Sequence, residues 1–98
     1  MFTLIPGRRA AASDEGFSVS RTGSPIASFC LEYETQGRRI RYELENLVPG
    51  SRTSIAVEDI GPWLPPYDKL ELTRDDQILI AGRIRDAMVF LGDECDVV

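Results

Sequence analysis

Three groups of carboxylates lie close enough along the chain to share chemical work: Glu43 with Glu45, Asp75 with Asp76, and Asp93 and Glu94 with Asp96. Paired carboxylates divide acid and base roles when their surroundings pull their proton affinities apart. Each group also has a plainer reading. Glu43 and Glu45 share one face of a strand that solvent would cover, and Asp75 and Asp76 begin a helix. The last three lack the alternating ligands and glycine of a calcium loop. Two aromatic residues stand in Gly61-Pro62-Trp63-Leu64-Pro65-Pro66-Tyr67, where three prolines stiffen the backbone. Tryptophan and tyrosine are enriched at binding hot spots, and a rigid loop presents them at small entropic cost. Against that, a lone tryptophan in a small domain more often caps its own core, and that role is favoured for Trp63, whereas for Tyr67 the two readings balance.

What is missing narrows the chemistry further. The 98 residues contain no histidine, which removes Ser-His-Asp and Cys-His catalysis, two-histidine zinc sites and imidazole pH switching. The eight glycines fit neither GxGxxG nor a Walker loop. Cys30 and Cys95 are far apart with no CxxC, and read as free thiols in apolar surroundings. No enzyme activity, metal or cofactor is therefore expected. With 11 basic and 16 acidic side chains the net charge is -5. Such a chain would be repelled by a phosphate backbone, so nucleic acid is not the expected partner and a basic protein surface fits better. The arginine pairs Arg8-Arg9 and Arg38-Arg39 sit near carboxylates and form no basic stripe. Met1-Phe2-Thr3-Leu4-Ile5-Pro6 falls short of a signal h-region, and no apolar run is long enough for a membrane span; the expectation is a cytoplasmic protein with no membrane partner.

The elements that would position these residues are mostly strands. Residues 2 to 5 form a short strand stopped by Pro6-Gly7; Arg8 to Gly16 reads as a mobile loop, and Phe17 to Arg21 as a second strand ending in Thr22-Gly23-Ser24-Pro25 turn chemistry. Phe29, Leu31 and Tyr33 alternate with polar residues, as do Ile40, Tyr42 and Leu44. A two-residue Gln36-Gly37 loop pairs Thr35 with Arg38, Tyr33 with Ile40, Leu31 with Tyr42 and Phe29 with Leu44. The opposite face then sets Glu34 against Arg39 and Glu32 against Arg41. Leu47-Val48-Pro49-Gly50 makes the next turn, and Thr53 to Val57 another strand with Ile55 and Val57 inward. Thr73 caps the best helix, with Asp76 completing a capping box and Gly92 terminating it. Ile80, Ala81, Ile84, Ala87, Met88 and Leu91 follow one helical face, which Ile78, Leu79, Val89 and Phe90 widen. So apolar a helix should be buried on the sheet, with a second partner over part of it. Cys95-Asp96-Val97 adds a last strand or an extended tail.

From Asp59 through Tyr67, then Leu72-Thr73 and the helix with Ile84, Ala87, Phe90, Leu91 and Gly92, the chain resembles a family of small bacterial immunity proteins from polymorphic toxin systems. The shared order is a β-meander with a Glu-, Tyr- and Arg-rich hairpin, a tryptophan near prolines, a terminal helix and a short strand. The resemblance covers roughly residues 28 to 98. It departs at Leu64, where the family pattern has an acidic residue, and at Tyr67, where histidine is frequent. It implies a protein that binds and neutralises a cognate toxin without catalysis of its own.

The expected structure is one α+β domain spanning 1-98: an antiparallel β-meander of four to five strands, with one C-terminal helix packed on one face. The expected function is a non-enzymatic protein-binding module, most specifically an immunity protein directed at a basic toxin domain. The partner-binding candidates are Glu32, Glu34, Glu43, Glu45, Trp63 and Tyr67. A homodimerising structural domain is the alternative, and a small carboxylate-dependent hydrolase the third reading.

Overall fold

The alternation in residues 29 to 44 does build the central hairpin of the molecule. In the computed structural model, which describes residues 1–7, 9–23, 28–45, 53–92 and 95–98 (backbone alone for strand residues 22, 23, 28, 29, 44, 45 and 53), β4 (Ser28–Thr35) and β5 (Arg38–Glu45) pair antiparallel. The register is the expected one, from Thr35 opposite Arg38 to Phe29 opposite Leu44. Gln36 and Gly37 both have positive φ, 51° and 76°, the backbone that a type I′ turn needs to match the strand twist. Leu31, Tyr33, Ile40 and Tyr42 are buried on one face; slipping the pairing by one residue would set Leu31 and Tyr33 on the same face as Arg39 and Arg41 and bury charge.

β3 (Phe17–Gly23) adds to the other edge of β4, with Val19 opposite Tyr33. Beyond it lie β2 (Ala10–Ser13) and β1 (Phe2–Leu4), giving a five-stranded antiparallel meander in chain order. β2 corrects the expectation of a mobile loop over Arg8 to Gly16. Alanine shows no apolar-polar alternation, so the strand is silent in the pattern. Its small side chains nevertheless let Ala11 sit fully buried opposite Val19. The expected turns at Thr22–Pro25 and Leu47–Gly50 fall mainly outside the described residues, although β3 itself runs on to Gly23.

The helix α1 (Arg74–Phe90) crosses the apolar face. Thr73 caps it in a full capping box: the Asp76 amide donates to the Thr73 hydroxyl at 3.1 Å, and the Thr73 amide donates to the Asp76 carboxylate at 3.1 Å. Gly92, at φ 95°, ends it. Ile80, Ala81, Ile84, Ala87 and Met88 are buried against the sheet, each large side chain contributing about 1.5–3 kcal/mol. Ile78, Leu79, Val89 and Phe90 do not join them; they remain 45–58% exposed. The helix is thus buried on one side, and the residues expected to widen its apolar face are left outside the core. The core covers one side of the helix, and the five inward positions already fill it.

The strand expected over Thr53 to Val57 is shorter and lies elsewhere. β6 (Thr53–Ile55) pairs in parallel with β7 (Cys95–Val97) in a separate two-stranded sheet, and Val57–Asp59 form a single 3-10 turn. Parallel strands cannot be joined by a tight turn and need a long crossover, which the connector and α1 provide. The two sheets share one core, in which Ile55, Val57 and Cys95 join Leu31, Ile40 and Met88. The Ala56 amide donates to the Tyr42 hydroxyl at 3.0 Å, linking β5 to the end of β6. Cys30 and Cys95 are both free thiols. No helix among the described residues is long and apolar enough to cross a membrane.

Candidate functional site

The connector from Gly61 to Thr73 is held to the sheet at its start and left exposed at its middle. The Leu64 amide donates to the Arg39 carbonyl at 2.7 Å, and Trp63, only 5% exposed, packs its ring 6.4 Å from that of Tyr33. The Arg38 guanidinium covers the indole from outside, 4.7 Å from the ring centre. Trp63 thus closes the end of the core beside the hairpin turn. Gly61 has φ 102°, and a Cβ there would collide with Leu72 Cδ1, so the connector returns on itself at a position only glycine fits. Gln77 fastens the same corner to the helix, its side-chain amide donating to the Ile60 carbonyl at 2.9 Å.

Past this anchor the chain turns outward. Tyr67 is 39% exposed and Leu70 is also exposed, on a segment tightened by the Tyr67 amide bonding the Leu64 carbonyl and the Leu70 amide bonding the Tyr67 carbonyl, each at 3.0 Å. The charge is concentrated here too. Residues 58 to 76 hold six acidic side chains, Glu58, Asp59, Asp68, Glu71, Asp75 and Asp76, against Lys69 and Arg74, accounting for -4 of the total -5. All eight are exposed. The 3-10 turn carrying Glu58 and Asp59 packs against α1, so the connector and the helix N-terminus form one anionic end with two apolar side chains standing in it.

The hairpin carboxylates lie elsewhere. Glu32, Glu34 and Glu43 project from the sheet face opposite α1, together with Arg39 and Arg41. Glu32 accepts a 3.3 Å ion pair from Arg39, diagonally across the strands. Three carboxylates against two guanidiniums make a mixed face rather than a strong anionic field, and exposed pairs of this kind contribute little. The Glu45 side chain lies outside the described residues. The six sequence candidates therefore do not converge: Glu32, Glu34 and Glu43 share one side of the sheet, while Trp63 and Tyr67 belong to the helix side. Sequence reasoning missed Leu70, although an apolar residue between Asp68, Lys69 and Glu71 is itself a signal of exposure.

Among the described residues no cluster of metal-ligating side chains is present. Comparison with known proteins gives no match: no family model fits the chain, and neither a curated protein nor a solved structure resembles it significantly.

Proposed function

We propose that this chain is a non-enzymatic protein-binding module, and most specifically an immunity protein that neutralises a cognate bacterial toxin with a basic surface. The observation that supports this most is the anionic end, where Tyr67 and Leu70 stand exposed on a connector already fixed by Trp63 and Gly61. A rigid aromatic anchor within a charged rim is the composition that binding hot spots favour, and pre-set geometry lowers the entropy lost on association. The concentrated negative charge would raise the encounter rate with a cationic partner and make it fall with salt. The test is co-expression with the product of the adjacent reading frame. Rescue from its toxicity is expected, and Tyr67→Ala should weaken binding about 30-fold, the loss of a ~2 kcal/mol anchor. A harmless neighbour, or toxicity unchanged by this chain, rejects the reading.

A second reading, homodimerisation, is favoured by the outer face of α1. Ile78, Leu79 and Val89 are exposed there, and a groove of about 480 Å³ is lined by Ile78, Leu79, Gly82, Arg85 and Asp86 together with Val97. A two-fold axis between residues 85 and 86 would place Arg85 against Asp86 of a second copy and Val89 over Gly82, a self-complementary arrangement. Sedimentation at micromolar concentration separates this from the monomer.

A further inference from the structure

Between the hairpin turn, Trp63 and the first half of α1 lies a pocket of about 210 Å³. Two guanidiniums line it, Arg38 and Arg83, and among the described residues neither has a carboxylate partner. Arg38 is set by the Trp63 ring and by a 3.0 Å bond to the Gln36 side-chain oxygen. Arg83 lies 4.6 Å over the centre of the Phe17 ring and donates from Nη1 to the Tyr33 hydroxyl at 2.8 Å. Its Nε is buried with no acceptor at all. A buried donor left without a partner is costly, and a cation most of all. Both arginines are held by aromatic rings and neutral oxygens, which fixes their orientation; the Arg83 Nε is itself sealed from solvent, so an anion would be received by the terminal nitrogens. Such pre-organised, charge-assisted contacts are the strong ones for arginine and carboxylate.

The rest of the lining restricts what that anion is. Leu72 and Leu79 are the more exposed of its apolar side chains, and they offer contact to a small hydrocarbon body. Glu71 and Asp76 line it as well, where they balance the two guanidiniums and oppose a dianion more than a monoanion. We infer that this pocket binds a small monocarboxylate carried on an apolar body, its charged group received by Arg38 and Arg83. This does not depend on the partner-binding reading, and its failure would leave that reading standing.

Trp63 is the only tryptophan and lines the pocket, so its fluorescence reports occupancy directly. The probes are phenylacetate, its neutral analogue phenylacetamide, and inorganic phosphate. A saturable change is expected with phenylacetate at about 1 mM, the range for a fragment of this size. Phenylacetamide and phosphate should bind at least about tenfold more weakly. Arg38→Gln and Arg83→Gln should each weaken phenylacetate by a similar factor while keeping a cooperative thermal melt. If Arg83→Gln does not fold, Arg38→Gln and the amide comparison decide. Equal binding of acid and amide, equal binding of phosphate, no saturation by about 30 mM, or unchanged affinity in a folded Arg38→Gln would each overturn the inference.

Discussion

Replacing Gly82 by alanine tests whether the outer face of α1 is free. Gly82 is the ninth of the helix's 17 residues, where glycine costs about 0.8–1.0 kcal/mol relative to alanine because it holds the unfolded chain in more conformations. A Cβ built there meets nothing within 4 Å, so no clash subtracts from that gain. For a domain near 100 residues, about 1 kcal/mol corresponds to a rise of roughly 4–8 °C in Tm. In urea it shifts the midpoint by about 0.3–1 M with an unchanged m-value. Circular dichroism melts at two protein concentrations, tenfold or more apart, measure the effect and its cause together. A free helix gives the same rise at both. A Tm that is unchanged or lowered at low concentration refutes the propensity argument; a gain present only when the protein is dilute shows that a second copy occupies the notch.

Two smaller changes probe the packing. Tyr33→Phe removes the acceptor for Arg83 Nη1 beside an Nε that already lacks one, and should lower stability by about 1–2 kcal/mol in denaturant titration. Thr73→Ala removes the hydroxyl that accepts from the Asp76 amide, while the bond from the residue 73 backbone amide to the Asp76 carboxylate can persist; it should cost about 1 kcal/mol, with Thr73→Ser restoring most of it.

The hairpin was legible because two signals agree there. Period-two alternation fixes which residues face inward, and Gln36-Gly37 fixes the turn, so every pair from Thr35–Arg38 to Phe29–Leu44 follows. The helix start was legible for the same reason, Thr73 and Asp76 standing at capping-box spacing. β2 was not, since Ala10, Ala11 and Ala12 carry no contrast between faces. Ile78, Leu79, Val89 and Phe90 show the limit of apolar counting: composition says how much surface prefers burial, while the area of the opposing sheet decides how much obtains it. The pairing of β6 with β7 joins residues some 40 positions apart, for which a local pattern has no term. The candidate surfaces were half visible. The stiff connector announced Tyr67, but the pocket draws Tyr33, Arg38, Trp63 and Arg83 from separate segments, and only folding brings them together.

The parallel β6–β7 pair also orders the events of folding. In the meander each strand meets the next across a few residues, as Tyr33 meets Ile40, and such closures are fast and entropically cheap. Ile55 can meet Val97 only after the whole crossover has compacted. The contacts that seal Ile55 and Cys95 into the core are therefore expected to form late. A chain caught before that step would hold a finished meander with its neighbouring apolar residues still wet, and it is this half-assembled form, rather than the native one, from which aggregation would start.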